Sequence, residues 1–122
     1  MSGRILTVDD SASIRLTTKV TLTNAGYEIT EAVNGAEGLE KAKAGEFDLI
    51  VTDLNMPIMD GLTMIEELRK LPAHMGVPII FLTTESDADL KARAKAAGAT
   101  GWLTKPFDPE NLVKIVKKVL GK

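Results

Sequence analysis

Short apolar runs alternate with stretches in which apolar residues recur every three or four positions, and the alternation repeats five times in 122 residues. The runs are residues 4–10 (RILTVDD), 27–32 (YEITEA), 47–53 (FDLIVTD), 77–83 (VPIIFLT) and 100–104 (TGWLT). Continuous apolar runs of this length predict buried strands. The intervening stretches predict helices. The first is capped by Ser11 or Ser13, runs to Asn24-Ala25 and stops at Gly26. The second spans 36–44, between Asn34-Gly35 and Gly45. A third covers 62–71, with Leu62, Ile65, Leu68 and Leu71 at helical spacing, and residues 72–76 form a loop after it. A fourth covers 87–97, capped by Ser86 and stopped by Gly98. The last starts at Asp108-Pro109, a cap followed by proline in the first turn, and carries Leu112, Ile115, Val116 and Val119. Five strands alternating with five helices imply a doubly wound α/β domain, a parallel sheet covered on both faces. Right-handed crossovers leave few topologies open.

In such a sheet the carboxyl ends of the strands share one edge, where open α/β folds place their ligands. Read in order, those ends carry Asp9 and Asp10, Asp53, Thr83 and Lys105. Asp53 closes the apolar run of the third strand and precedes a turn through Asn55, Met56, Pro57 and Asp60-Gly61. Taken alone, Asp53 reads equally well as a turn cap. The recurrence of polar residues at one end of apolar strands is harder to explain by capping.

Three neighbouring carboxylates cannot all remain ionised cheaply, since two unit charges at 4 Å repel by about 4 kcal/mol at an effective dielectric of 20. Either one takes a proton or a cation enters. All-oxygen ligands favour a hard cation, Mg²⁺ before Ca²⁺, and Mg²⁺ held by carboxylates and waters commonly meets phosphate oxygens. Lys105 adds a point charge for an anion, and Thr83 a hydroxyl donor. Together these groups describe phosphoryl transfer with Asp53 as covalent acceptor. No glycine-rich phosphate loop follows the first strand, which disfavours a nucleotide donor and favours a phosphorylated side chain or a small acyl phosphate.

VDDS after the first strand, DLIVTDLNMPIMDG around the third, PIIFLTT at the fourth and GWLTKPF at the fifth carry a resemblance over essentially the whole chain. The sequence resembles the receiver domains of two-component response regulators, most closely the stand-alone chemotaxis receivers. The resemblance implies a flavodoxin-like fold with strand order 2-1-3-4-5. It implies that Asp53 is the phosphoacceptor. Asp10 and Asp53 would bind Mg²⁺ directly, Asp9 through water, and Asn55 by its backbone carbonyl. Thr83 would bond the phosphoryl group and Lys105 would pair with its charge. The Lys105-Pro106 bond would be cis. Asn55 and Glu85 would tune the phosphoryl lifetime. On phosphorylation Thr83 would move inward and Trp102 would turn into the vacated space, altering the surface of the last two helices and the fifth strand.

Trp102 is bulkier than the Tyr or Phe more usual in the family, so it reads also as a partner-facing anchor or as partial core packing. On a helical wheel Ile14, Thr18, Thr21 and Ala25 share one face of the first helix, which leaves Leu16 and Val20 outward. That pair reads either as a dock for the helical bundle bearing the donor histidine or as two scattered exposed residues. Lys91, Lys95, Lys114, Lys117 and Lys118 make the last two helices basic, a solvated face by default and a surface for an acidic partner segment second. His74 reads as an exposed loop residue, and Met56, Met59, Met64 and Met75 as packing.

Composition narrows the choice further. A net charge of −2 without basic blocks gives no general attraction to nucleic acid, and the lack of Cys removes thiol chemistry and disulfides. No apolar run approaches a membrane span, and the N-terminus is neither signal nor transit peptide, which fits the cytoplasm. The expectation is therefore a single receiver domain over residues 1–122 with no output domain, because only two residues follow Leu120. It would take phosphate from the phosphodonor domain of a CheA-like sensor histidine kinase and then change its affinity for a downstream protein, naturally a flagellar motor switch. Its chemistry would be self-directed, phosphotransfer and autodephosphorylation, and not enzymatic turnover. The alternatives are a phosphorelay intermediate or phosphate sink, and a small Mg²⁺-dependent phosphatase. The phosphatase would need a general acid where Asn55 stands. A flavin carrier on the same fold would need a phosphate-cradling loop and stacking aromatics.

Overall fold

The computed structural model describes residues 3–54, 56–71, 76–84, 88–105 and 107–121. Its elements run β1 (Arg4–Val8), α1 (Ala12–Asn24), β2 (Glu28–Ala32), α2 (Gly35–Ala44), β3 (Leu49–Thr52), α3 (Gly61–Arg69), β4 (Ile79–Thr83), α4 (Ala88–Ala96), β5 (Gly101–Thr104) and α5 (Pro109–Leu120). All strand pairings are parallel, in the order β2-β1-β3-β4-β5. This is the doubly wound, flavodoxin-like arrangement that the alternating pattern and the family resemblance imply.

Side chains alternate across the sheet and divide the core in two. Ile5, Leu49, Val51, Ile80 and Leu82 pack with Leu22 of α1 and with Leu112 and Val116 of α5. Leu6, Val8, Ile50, Ile79 and Phe81 face the other way, onto α2, α3 and α4. The helices begin where the polar residues allow. Ser11 is the cap of α1, accepting from the Ile14 amide at 3.4 Å, with Ser13 Oγ 3.2 Å from its hydroxyl. Asn34 caps α2 while Glu37 returns a carboxylate to the Val33 amide. Asp60 caps α3 and Asp108 caps α5.

Several boundaries differ from the sequence pattern. The third strand is shorter than its apolar run: Phe47 precedes it, lying 5.2 Å beneath the Arg4 guanidinium. Asp53 follows it, although its amide still bonds the Val8 carbonyl at 2.9 Å. β4 starts at Ile79, since Pro78 has no N–H to donate and adds only its carbonyl, which accepts from Ile50 at 3.0 Å. β5 starts at Gly101 and α2 at Gly35, while α3 ends at Arg69 and α4 at Ala96. The Ser86 cap, the loop at 72–75 with His74 and Met75, and the expectations for Asn55, Glu85 and Pro106 lie outside the described residues.

Candidate functional site

The register sets the site. Val8 pairs with Thr52 and Thr52 with Phe81, while Thr83 pairs with Thr104, so β4 and β5 run two residues past the ends of β1 and β3 along the same carboxyl edge. Asp9 and Asp53 emerge there, both buried, and Asp10 emerges exposed. Carboxylate oxygens of the three lie within 4.8 Å of one another. Lys105 follows β5 and its amide bonds the Thr83 carbonyl at 2.8 Å, which aims the side chain back over the strand ends. Its ammonium lies 2.6 Å from Asp9 Oδ2 and 3.2 Å from Asp53 Oδ2.

Each carboxylate has a second hold. Asp53 Oδ1 accepts from the Leu54 amide at 2.7 Å, so the residue caps its own turn as well as facing the cluster. Asp9 Oδ1 accepts from the Ser11 amide at 2.9 Å. Burial still pushes the Asp9 carboxyl above its ordinary value, and the Lys105 hydrogen bond opposes that rise only in part. A single lysine does not balance three carboxylates, and the oxygen-only donor set at this spacing fits a hard divalent cation.

Three structural supports carry no periodic signal in the sequence. Arg15 Nη1, from α1, donates to the Asp9 carbonyl at 2.7 Å. The loop after Asp53 is clamped by two glycines. A Cβ at Gly61 would stand 2.1 Å from the Asp53 carbonyl oxygen, and one at Gly35 would stand 2.4 Å from that of Met59. Both glycine amides bond this loop, Gly61 to Leu54 and Gly35 to Met59. Between the clamps Ile58 sits at φ +70° with 84% of its surface exposed. A β-branched residue in that region is strained, and the flanking contacts hold it there.

The remaining residues singled out by sequence lie on two surfaces. Thr83 is fully buried at the end of β4, on the same side of the sheet as Phe81. Trp102 is half-buried in the middle of β5, its ring 5.6 Å from that of Phe81. The Lys91 ammonium lies 5.5 Å from the Trp102 ring centre, and Lys95 borders the same shallow groove. The indole N–H is buried and has no hydrogen-bond partner among the described residues. On the opposite side of the molecule, Leu16 and Val20 are 62% and 50% exposed on α1.

This arrangement has close counterparts. Residues 5–117 match the model of the response regulator receiver domain. The chain belongs to the response regulator receiver family. This receiver is 38% identical over 120 residues to the chemotaxis protein CheY1 of Helicobacter pylori, covering 97% of each chain. The structure of Vibrio cholerae CheY4 superposes with a TM-score of 0.93 at 44% identity, covering 98% of this receiver and 99% of that chain. The receiver domain of the Pseudomonas aeruginosa sensor kinase PA1611, solved with a magnesium ion coordinated in its active-site cleft, superposes at 0.91 with 27% identity and full coverage of both chains. The receiver also spans 57% and 25% of two longer transcriptional regulators that it matches, ycf29 and NtrC.

Proposed function

We propose that this receiver accepts a phosphoryl group from a kinase phosphohistidine onto Asp53 and thereby changes its affinity for a protein partner. The observation that carries this reading is the Asp53 carboxylate, buried at the end of β3, bridged by Lys105 and ringed by Asp9 and Asp10. An Asp53 oxygen attacks phosphorus as the bond from phosphorus to the donor imidazole breaks, and the imidazole leaves. Leu54 N–H keeps one carboxylate oxygen in place. Lys105, already 3.2 Å from the other, pairs with the charge gathering on the phosphoryl oxygens. Asp9, Asp10 and Asp53, with the Asn55 carbonyl, would hold Mg²⁺, which when bound offsets the carboxylate charge and steadies phosphoryl oxygens. Thr83 and Trp102 then carry the change to the α4–β5–α5 face, where the Lys91 and Lys95 edge meets the partner.

The full-length match to chemotaxis receivers supports a chemotaxis role, with a CheA-like kinase as donor and a flagellar motor switch as target, in the cytoplasm. Among the described residues no helix is long and apolar enough to cross a membrane. We assign the exposed Leu16 and Val20 pair to the dock of the donor domain. Charging both (Leu16→Glu with Val20→Glu) slows transfer from the kinase by ~10-fold, the size of a ~1.4 kcal/mol contact, and spares labelling by acetyl phosphate. Equal loss of both reactions removes the docking assignment.

The test of the main reading titrates beryllium fluoride with Mg²⁺ and follows the fluorescence of Trp102, the chain's only tryptophan. A saturable, Mg²⁺-dependent change absent from Asp53→Asn supports the site and its coupling to β5. Mass spectrometry after acetyl-phosphate treatment separates the two: labelling of Asp53 without a fluorescence change keeps the acceptor and removes Trp102 as reporter. Failure of a folded protein to label removes the acceptor.

A further inference from the structure

Asp9 and Asp10 share one peptide bond, so the plane of that peptide aims both carboxylates. Its carbonyl, on Asp9, accepts from Arg15 Nη1 at 2.7 Å. The guanidinium reaches there from the first turn of α1, back over the end of β1. Its Nε faces β2, 3.8 Å from Glu31 Oε2. Glu31 stands opposite Thr7 in the sheet, one position before the Val8–Ala32 pair that closes both strands. One side chain therefore joins the start of α1, the turn after β1 and the end of β2. It is largely shielded from solvent, with 18% of the Arg15 side chain exposed.

A cation in this place has two conceivable effects on a divalent ion at the acidic cluster, and they have opposite signs. As a charge, Arg15 repels the ion, so losing it tightens binding. As a brace, it holds the Asp9–Asp10 peptide, so losing it loosens two of the three carboxylates and weakens binding. The contacts favour the brace. Arg15 meets a backbone carbonyl, and its charge is paired with Glu31, whose other oxygen lies 3.5 Å from the Lys19 ammonium. The cation set among the cluster's own carboxylate oxygens is Lys105. Arginine suits the brace because its planar fork serves a carbonyl and a carboxylate together, whereas a lysine offers one compact charge.

We propose that Arg15 is a positioning residue for the divalent-cation site, fixing the Asp9–Asp10 peptide so that both carboxylates are set for Mg²⁺. The inference rests on the Mg²⁺ reading of the acidic cluster given above. Groups that hold metal ligands in place are typically worth 10–100-fold in metal affinity.

The test titrates the chelator-treated chain with Mg²⁺ alone and takes Kd from the amide NMR shifts, which also show that each variant is folded. Arg15→Met is expected to weaken binding by ~10-fold. Arg15→Lys, which keeps the charge, is expected to weaken it less but in the same direction. Lys19→Met removes the same charge from beside Glu31 without touching Asp9, and is expected not to weaken binding. Unchanged or tighter binding in folded Arg15→Met overturns the proposal, since charge alone then accounts for Arg15. An equal weakening in Lys19→Met overturns it too. If Arg15→Met does not fold, Arg15→Lys decides, and an unchanged Kd there overturns the proposal. A lack of saturable shifts in the unaltered chain removes the Mg²⁺ reading itself and this inference with it, an outcome visible before any substitution is made.

Discussion

The acidic end of β1 and β3 and the outer edge formed by β5 and α4 are built to opposite tolerances. β3 and β4 are buried along their whole lengths, and Asp53 is held by an amide, an ammonium and the glycine clamp beneath its carbonyl. β5 has no fully buried residue, and α4 buries only Ala94. Among the described residues Trp102 rests there on one aromatic neighbour and under one lysine, and its N–H has no partner. The chemistry therefore sits where a displacement is expensive, and the surface that would report it sits where a displacement is cheap. A bistable readout needs that contrast, because two packings can compete only where neither is over-determined.

The comparison breaks most directly at Gly61. Gly61→Ala forces a methyl to within 2.1 Å of the Asp53 carbonyl, and neither the strand end nor α3 can retreat freely. Overpacking of this kind costs up to about 3 kcal/mol. Urea denaturation should show the loss together with slower acetyl-phosphate labelling of Asp53. A change under 0.5 kcal/mol, within the range of ordinary surface substitutions, would mean the clamp is soft.

Lys105→Met tests the electrostatic hold. It should reduce the labelling rate by ~100-fold, the usual effect of losing one stabilising donor, equivalent to about 2.7 kcal/mol of barrier. An unchanged rate would place the ammonium outside the reaction.

Asp9→Asn sharpens the same region from the stability side. Burial raises the Asp9 carboxyl, so the fold prefers its neutral form. Stability from this group is whole below the ordinary carboxylate value and is lost as pH rises through the raised one. In metal-free protein at pH 7 the substitution should raise Tm by ~4 °C and flatten the pH dependence across that acid window. A lower Tm would show that the Lys105 bridge outweighs burial.

Lys91→Ala probes the loose edge and should have the smallest effect on stability. A cation over an indole at an exposed site contributes ~0.5–1 kcal/mol, so Tm should move by a few degrees at most while Trp102 fluorescence changes. A loss comparable to that of Gly61→Ala would erase the contrast between the two regions.

Much of this protein was legible in order along the chain. Apolar runs of strand length, glycine stops and caps such as Ser11 and Asp108 act within a few residues, so they predict the five strands and five helices without knowledge of any partner. The polar residues closing those runs are equally local, which is why Asp9, Asp10, Asp53, Thr83 and Lys105 could be named before any distance was known. The outward placement of Leu16 and Val20 followed from the helical period alone.

Only the tertiary structure decided which groups meet. Lys105 bridges Asp9, 96 positions away, and Asp53, 52 positions away. No periodicity encodes that bridge. Gly35 and Gly61 look like ordinary helix-start residues in sequence, yet their missing side chains make room for the loop that follows Asp53. Arg15 and Thr18 share a helix with many polar neighbours, and only the packing of α1 turns one toward the Asp9 carbonyl and buries the other. The physical reason is one of range. Hydrophobic period, capping and turn chemistry act over a few residues, whereas steric clearance, ion pairing and desolvation depend on atoms that the crossovers bring together from distant parts of the chain.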